Sequence, residues 1–390
     1  MKIVVSIDNY LYKKDGQYYV DNVANSIVNR YLAVYDSILL YARVTEVDEL
    51  PKNINYLLDI EKIDVCELPF VRGGGQVIKA YPKIRKIAKN IVKNNDAFII
   101  RIPSMVGFIL AQEVICQNKI YGVEVVASPN ELSKGESFFK GLMWRCLHSF
   151  MRKICANADC ASYVTKETLQ KTYPTRKPTA YVTNYSSVDL RKEFMSIERS
   201  ALWDEGKSFE ICHVANHVSG IAKGHYEVIN VLCQLINKRY NVRVKFAGKD
   251  ENSDSLKEYA RKLGVEKYIE FLGLLDNNQL RDLLIKSDLL LFPSHSEGLP
   301  RVVIEAMAVS LPCVSSNVGG SAELLPLECV FDYKDVEGMT RQVERFITDK
   351  EYYLKMSKRN YEEAQQYESS YLQDKRIAFY NELLRLAKGK

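Results

Sequence analysis

Short apolar runs alternate with longer amphipathic segments along most of this chain, and this alternation constrains the fold more than any other feature. In the first half the runs occupy residues 2–7, 37–44, 62–68, 97–103, 123–128, 160–165 and 179–184. Each run has the length of one β-strand, and several of the segments between them place apolar residues at helical spacing. Strands and helices that alternate in this way form a parallel sheet covered on both faces. The sequence therefore predicts the α/β class.

The alternation weakens between residues 190 and 207 and then restarts. The later runs occupy residues 209–215, 242–248, 267–273, 287–293 and 311–316. We interpret them as a second doubly wound domain, so that two Rossmann-like domains face a cleft and the weak segment is the hinge. The predicted domains are 1–190 and 208–365, followed by a helical segment over 366–390. Ligands of such sheets bind at the carboxyl ends of the strands.

Composition narrows the class of protein. The net charge of +5 does not by itself indicate a nucleic-acid partner, and we expect none. Nine cysteines at irregular spacing favour free thiols in a reducing cytosol over a disulfide framework or a zinc site. No apolar stretch reaches the length of a spanning helix, and the first residues lack the apolar core of a signal peptide. We therefore expect a cytoplasmic protein.

Residues 77–95 combine a strong positive charge with helical periodicity. They contain six basic residues and no acidic one, and isoleucines recur at helical spacing. This pattern predicts a basic amphipathic helix. Either it is a solvated face of a helix that covers the sheet, or it is a patch for anionic lipid headgroups or a phosphorylated acceptor. The second alternative would place the protein at the inner face of the cytoplasmic membrane.

The stretch 287–320 reads as a strand, a polar loop, a helix and another strand. Pro300 falls where the helix should begin, a position that proline favours. The backbone N–H groups of Gly298, Leu299 and the first helical turn should therefore point towards the cleft. The start of a helix attracts phosphate and can donate hydrogen bonds to sugar hydroxyls.

Two glutamates, Glu297 and Glu305, belong to the same stretch. Glu305 lies inside the predicted helix, where its carboxylate can accept two hydrogen bonds from a vicinal diol such as that of a ribose. The alternative is that Glu297 only complements the helix dipole and Glu305 is a surface residue of an ordinary helix. The surrounding pattern P-S-x-x-E-G-L-P, I-E-A-M-A, L-P-x-V and V-G-G-x-x-E favours a functional site.

This pattern resembles the donor-binding region of retaining GT-B glycosyltransferases of the glycogen-synthase-like group, the family 4 type, whose two glutamates are separated by seven residues. The resemblance covers most of residues 208–390. It implies that Glu305 binds the nucleotide ribose, that Glu297 contacts the donor sugar, and that the backbone at Gly298 and Leu299 holds sugar hydroxyls and phosphate. It also implies a GT-B fold in which the terminal helix returns to the first domain.

Lys223-Gly224 matches the Lys-Gly pair that opens a helix in this family, so the resemblance implies that Lys223 meets the donor diphosphate as a point charge. Together with Glu297, Lys223 is our candidate catalytic residue. The family usually has an arginine at the preceding strand exit, where this chain reads Ala215, Asn216 and His217. Diphosphate binding should then rest on Lys223 with Asn216 or His217.

Other parts of the donor side follow from the same resemblance. Leu272-Gly273 match the segment that contacts the nucleobase through its backbone. His295 lies in the polar loop of residues 294–298, which we call the donor loop. No D-x-D sequence occurs, which argues against a metal-dependent transferase, and we expect no metal and no cofactor. The nucleotide-sugar is a substrate, linked to UDP, GDP or ADP.

The first half resembles the family in layout more than in motif. A tyrosine-rich segment, predicted to be a loop, replaces the usual glycine-rich loop after the first strand; Tyr12 and its neighbours either stack on an acceptor or pack the loop. Gly74 belongs to a glycine run before the basic helix that either lines the cleft or needs left-handed geometry. Glu124 and Asn130 are further candidates for the acceptor side.

We therefore expect a hexosyltransferase that moves a sugar from a nucleoside diphosphate to a saccharide or lipid-linked saccharide, with retention and without metal. Segments of the first half look like those of bacterial surface-polysaccharide transferases, which implies capsular, exopolysaccharide or lipopolysaccharide synthesis. Two alternatives stay open. One is a GT-B sugar-nucleotide epimerase, and the other is a module that binds sugar nucleotides without catalysis, which the missing arginine favours.

Overall fold

A computed structural model describes residues 1–51, 54–129, 138–196, 207–218, 222–250 and 253–389, without the side chains of residues 73, 74 and 138–144. The chain divides into two compact units. Unit 1 comprises Met1–Tyr185 and Gln373–Lys390, and unit 2 comprises Ser186–Leu372. The first division therefore falls five residues before the predicted boundary at 190, and the second falls seven residues after the predicted boundary at 365/366.

Unit 1 is an α/β unit built on one sheet. Its strands are β1 (Lys2–Ser6), β2 (Leu11–Lys14), β3 (Gln17–Val20), β4 (Ser37–Glu46), β5 (Tyr56–Leu57), β6 (Ile63–Leu68), β7 (Ala97–Ile102), β8 (Ile120–Val125), β9 (Cys160–Tyr163) and β10 (Tyr181–Asn184). Its helices are α1 (Asn22–Tyr31), α2 (Gly73–Lys93), α3 (Met105–Cys116), α4 (Phe138–Asn157) and α5 (Thr168–Thr172). The strand order is β10-β9-β8-β7-β1-β4-β2-β3-β5, and β6 also pairs with β4. The central strands are parallel and almost fully buried, as their continuous apolar runs predict.

The tyrosine-rich segment after β1 is not the predicted loop. It forms an antiparallel hairpin of β2 and β3, in which Tyr12 pairs with Tyr19. Asp15 and Gly16 make the turn with φ of 50° and 76°. An Asp-Gly pair with positive φ at both positions is a preferred two-residue hairpin turn, because its twist matches that of the strands.

The glycine run before the basic helix is also helical. α2 begins at Gly73, so Gly74 lies in its first turn, and none of the glycines from 73 to 75 has a positive φ. The basic amphipathic helix is confirmed over Gly73–Lys93, with Pro82 inside it. No helix in the described ranges is long and apolar enough to cross a membrane.

Unit 2 is a second Rossmann-like unit. Its strands are β11 (Phe209–Val218), β12 (Val242–Asp250), β13 (Ile269–Gly273), β14 (Leu289–Phe292), β15 (Cys313–Ser316) and β16 (Val330–Phe331). Its helices are α6 (His225–Asn237), α7 (Ser253–Lys262), α8 (Asn277–Lys286), α9 (Arg301–Ala308), α10 (Ser321–Leu324), α11 (Val336–Thr348) and α12 (Lys350–Ala364). The strand order is β13-β12-β11-β14-β15-β16, and each of these pairs is parallel. Short 3₁₀ turns occupy Lys192–Phe194, Glu266–Tyr268, Leu327–Cys329 and Gln365–Tyr367.

The last helix, α13 (Ser369–Lys388), leaves unit 2 and packs on the sheet of unit 1 from Gln373 onwards. Phe379 and Tyr380 are buried there. Gly122 of β8 leaves room for this contact, since a Cβ added to it would lie 2.8 Å from the Phe379 ring. The chain therefore closes unit 1 with its final segment.

Candidate functional site

The sheet of unit 2 has one topological switch point. From β11 the chain moves outwards to β12 and β13, then returns to β14 on the other side of β11 and moves outwards to β15 and β16. The connections that follow β11 and β14 therefore depart in opposite directions. In open α/β sheets, ligands bind at the carboxyl ends of the strands at such a point. Lys223 follows β11 and Glu297 follows β14.

Lys223 and Glu297 form an ion pair at this position. The Lys223 ammonium lies 2.6 Å from Oε1 of Glu297, and the Ser294 hydroxyl donates to the same oxygen at 2.8 Å. The Lys223 side chain is 30% exposed and that of Glu297 is 14% exposed, so the pair stands at a partly covered surface. The two candidate catalytic residues are thus brought together from positions 74 residues apart.

Backbone contacts fix the two connections to each other. The His295 N–H donates to the carbonyl of Ala222 at 3.0 Å. Gly224, at the start of α6, has a φ of +78°, and a Cβ there would lie 2.1 Å from the carbonyl oxygen of Pro293. Any larger residue would both strain its own backbone and push the loops apart. The glycine of the Lys-Gly pair is therefore required on steric grounds, in addition to the electrostatic role predicted for the lysine.

His295 is held from two sides by residues that the sequence analysis did not single out. Its Nε2 lies 2.9 Å from Oε1 of Glu227 in α6, and its ring lies against that of Tyr333, with the centroids 3.9 Å apart. Neither partner belongs to a recognisable motif, so only the folded structure identifies them. His295 consequently anchors the donor loop to α6 and to the segment that follows β16.

Two backbone N–H groups at the end of the donor loop are candidates for contacts with a ligand. Within the described ranges, neither the N–H of Gly298 nor that of Leu299 donates a hydrogen bond to another part of the chain. The Gly298 carbonyl accepts from Gly320 at 2.7 Å, while Leu299 and Pro300 are buried. Pro300 is the residue just before α9, one position earlier than the first helical residue predicted for it.

Glu305 lies in α9 and is half-buried. Burial raises the pKa of its carboxyl, and the positive charge of Arg301 opposes this shift only in part. Among the residues that the structure describes, its carboxylate has no hydrogen-bond or ion-pair partner. A half-buried acceptor that the protein leaves unsatisfied is suited to receive hydroxyl donors from a ligand.

The remaining donor-side candidates lie at the same edge of the sheet. β11 runs on to Val218 across an irregularity between Val214 and His217, so Asn216 and His217 belong to the strand and are exposed. Leu272 and Gly273 end β13, two strands from β11, and Gly273 has a φ of +71°. The structure therefore places all four near the carboxyl ends of their strands.

Glu124, a candidate for the acceptor side, is enclosed in unit 1. It is 2% exposed and is ion-paired with Arg101. The hydroxyls of Tyr31 and Tyr185 donate to it at 2.8 Å each, and that of Tyr380 at 3.2 Å. Burial opposes ionisation, but Arg101 and the tyrosine hydrogen bonds together hold the pKa of Glu124 below its usual value. These contacts satisfy the carboxylate and leave no surface for an acceptor, so its position speaks against that prediction.

The structure places two of the other three acceptor-side candidates. Tyr12 is half-exposed on the β2–β3 hairpin and Gly74 lies in the first turn of α2, whereas Asn130 lies outside the described residues. No group of three or more His, Cys, Asp or Glu residues in the described ranges is placed to hold a metal ion.

Comparisons with known proteins decide the family. The sequence model of the glycosyl transferases group 1 matches residues 204–363. Protein CapJ of Staphylococcus aureus is 30% identical over 359 residues, which cover 90% of this chain and 88% of CapJ. This chain is a group 1 glycosyltransferase. The matched residues of this glycosyltransferase contain the whole switch-point site from Lys223 to Glu305.

Solved structures show the same fold over the full chain of this glycosyltransferase. HepE from Anabaena, in complex with UDP and glucose, is 14% identical and covers all of both chains with a TM-score of 0.66. WaaG, a glycosyltransferase involved in lipopolysaccharide biosynthesis, is 16% identical and covers 96% of this chain and 98% of its own with a TM-score of 0.64. The two Rossmann-like units therefore constitute the GT-B fold.

Proposed function

We propose that this glycosyltransferase moves a hexosyl group from a nucleoside diphosphate sugar to a saccharide or lipid-linked saccharide, with retention and without a metal ion. The observation that carries the proposal is the Lys223–Glu297 ion pair at the switch point of unit 2. A diphosphate leaving group needs positive charge. In this site Lys223 supplies it, together with the start of α9 and the open N–H groups of Gly298 and Leu299.

The unsatisfied carboxylate of Glu305 supports a nucleotide as the donor's carrier. A ribose diol can donate to both of its oxygens. Glu297 keeps Oε2 available beside the Lys223 contact and is assigned to the donor sugar. The transition state carries oxocarbenium character. We assign the acceptor proton to the departing phosphate, because the resemblance to retaining transferases implies no enzymic base.

The acceptor class is proposed from relatives and not from a built subsite. WaaG acts in lipopolysaccharide biosynthesis, which supports a bacterial surface polysaccharide as the product. Peripheral contact of α2 with an anionic membrane is part of the same proposal, since its exposed basic residues would face the lipid headgroups.

A panel of UDP-, GDP- and ADP-sugars tests the donor. We expect one nucleotide series to raise the melting temperature, and the same sugar nucleotide to be hydrolysed slowly to the nucleoside diphosphate in the presence of EDTA. Retention is checked by the anomeric configuration of the product in NMR. Complete absence of nucleoside diphosphate release across the panel would contradict catalysis by this site.

Lys223→Ala tests the diphosphate contact. It should weaken binding of the sugar nucleotide by roughly 10- to 100-fold, the value of a charge-assisted hydrogen bond, and leave binding of the free nucleoside unchanged in calorimetry. Lys355→Ala, at an exposed lysine of α12 in the same unit, is the control. Equal losses for nucleoside and sugar nucleotide would remove Lys223 from the diphosphate site.

A further inference from the structure

Unit 1 contains an apolar cavity of about 420 Å³ between α2, α3 and α4. Val77, Ile78, Phe108, Ile109, Leu147 and Phe150 line it. The polar side chains of Tyr81 and Gln112 also reach it, but the Tyr81 hydroxyl donates to Gln112 at 2.9 Å. Protein interiors are close-packed, and an apolar void offers water no partners. A space of this size with these walls is therefore suited to a hydrocarbon ligand.

The cavity opens to the surface at Ile78. This side chain lines the cavity although 66% of the residue is exposed, whereas Val77 beside it is buried. An exposed isoleucine at an apolar opening lowers the cost of passing a hydrocarbon chain from a membrane into the protein.

Basic residues of α2 and α4 lie near the cavity, and the one acidic residue of α3, Glu113, is paired with Arg85 of α2. α2 and α4 contain no acidic residue, and Arg145 and Lys153 of α4 line a second cavity, which shares Cys146 and Phe150 with the first. Among the described residues, the side chains of Arg145 and Lys153 have no ion-pair partner. Unpaired cations beside an apolar cavity fit an anionic headgroup attached to a hydrocarbon chain.

We propose that this cavity binds the hydrocarbon chain of a lipid-linked acceptor, and that Arg145 and Lys153 contact the phosphate that joins the chain to its saccharide. The inference rests on the proposed function, since it selects the lipid-linked acceptor from the two acceptor classes named there. A cavity of this volume between three helices has room for a single hydrocarbon chain, whereas contact with a bilayer surface would require only the exposed basic face of α2. The cavity therefore favours an individual amphiphile.

Calorimetry with decyl phosphate, below its micellar concentration, tests the proposal on the full chain. We expect saturable binding of decyl phosphate, at least about tenfold weaker binding of decyl maltoside, which has the same chain and an uncharged head, and no binding of inorganic phosphate. Equal affinities for the two decyl compounds would overturn the phosphate contact.

Two sets of variants test where the hydrocarbon chain and the headgroup of the ligand bind. Ile78→Asp, which charges the opening, and Leu147→Trp, which fills the cavity, should each weaken decyl phosphate binding at least about tenfold. Ile60→Asp is the matched control, because Ile60 is 62% exposed in the same unit and does not line the cavity. Ile78 is exposed, so Ile78→Asp is tolerated by the fold even where Leu147→Trp is not. Unchanged binding in Ile78→Asp would overturn the use of the cavity.

The headgroup variant is Arg145→Gln/Lys153→Gln. It should lose the preference for decyl phosphate over decyl maltoside. Lys350→Gln/Lys355→Gln removes the same charge from unit 2 and should keep the preference. If vesicles with phosphatidylglycerol capture the protein but decyl phosphate does not bind, the bilayer surface is the partner and the cavity proposal fails.

Donor hydrolysis separates this inference from the proposed function. Ile78→Asp and the headgroup variant should release nucleoside diphosphate from the donor at the wild-type rate, because all three substituted residues belong to unit 1 and the proposed donor site belongs to unit 2. Loss of decyl phosphate binding with intact hydrolysis is the result expected of these variants. If the wild-type protein binds decyl phosphate but hydrolyses no sugar nucleotide, the proposed function is contradicted. Binding of a lipid in the cavity is then still supported.

Discussion

Glu305 and Glu297 lie eight positions apart, yet their carboxylates have opposite surroundings. Glu297 is paired with Lys223 and receives the Ser294 hydroxyl, whereas Glu305 has no partner among the described residues and burial raises its pKa. Under the proposed function, a donor diphosphate competes with Glu297 for the Lys223 ammonium, so we expect this ion pair to open or rearrange when the donor binds. An unsatisfied carboxylate gains most from a ligand, because its solvation is already partly lost.

Substitution and pH test this asymmetry at Glu305. Hydroxyl donors favour the ionised carboxyl, so nucleotide binding should release a proton, and affinity should fall as the pH drops through the raised pKa of free Glu305. Glu305→Gln should weaken nucleotide binding by roughly 10- to 100-fold at neutral pH and abolish this part of the pH dependence in calorimetry. Glu328→Gln, at an exposed glutamate of unit 2, should change neither. Unchanged affinity in Glu305→Gln would remove the ribose role.

At the scale of secondary-structure elements, the backbones of three connecting loops in unit 2 approach one another closely at the site. Gly224 starts α6 against the carbonyl of Pro293, and Gly319, with a φ of +53°, would place a Cβ 2.3 Å from the carbonyl oxygen of Glu297. The connections after β11, β14 and β15 therefore pack backbone against backbone. This packing positions the Lys223–Glu297 pair at the switch point.

Gly224→Ala should be more destabilising than the same change at Gly264. Gly264 has a comparable φ of +72° but nothing within 4 Å of an added Cβ, so Gly264→Ala reports only the backbone strain, about 1 kcal/mol. The contact 2.1 Å from the Pro293 oxygen adds a clash at Gly224. Urea unfolding should give a larger loss for Gly224→Ala together with weakened sugar-nucleotide binding. If both variants lose the same free energy of unfolding, the loops that carry Gly224 and Pro293 can move apart without an energetic cost.

At the scale of the whole molecule, the end of the chain completes the unit in which the chain began. Tyr380 of α13 donates to Glu124, and Phe379 occupies the space left by Gly122. Glu124 and Arg101 are both shielded from water, so removing α13 would expose a charged cluster and an apolar sheet face together. A buried ion pair that loses its surrounding hydrogen bonds is costly.

Truncation after Leu372 should therefore destabilise unit 1 and leave unit 2 folded. We expect limited proteolysis to cleave first within Met1–Tyr185, and calorimetry to show one transition shifted to lower temperature. Truncation after Ala387, which removes only the last three residues, should leave both transitions in place. Preferential cleavage in unit 2 would contradict the assignment of α13 to unit 1.

Acid should act on the same cluster. The pKa of Glu124 is lowered in the folded protein, so its contribution to stability is present above the unfolded pKa and is lost as the pH falls through the folded one. Glu124→Gln should lower stability at neutral pH, since it leaves Arg101 without its counter-charge, and the difference from wild type should shrink in acid. A difference that is independent of pH would contradict the ionised state of Glu124.

The sequence by itself determined the α/β class, the two Rossmann-like units and the position of the donor loop. Those conclusions rest on periodicity and on strand-loop-helix order, which are local properties of the chain. Asp15-Gly16 is also a local signal, and it predicts the hairpin of β2 and β3 better than the tyrosine-rich composition of the segment, which favours a loop. Of the two alternatives for the glycine run, left-handed geometry is wrong, because α2 begins at Gly73 and these glycines take part in its first turn.

Only the tertiary structure decided what surrounds each functional side chain. Lys223 meets Glu297 across 74 residues, Glu227 and Tyr333 hold His295, and Glu124 is enclosed by three tyrosines from different elements. Burial and hydrogen-bond satisfaction depend on neighbours that are distant in the chain, so no local pattern separates an open carboxylate such as Glu305 from an enclosed one such as Glu124. The same holds for the apolar cavity between α2, α3 and α4, which exists only where three helix faces fail to close on one another.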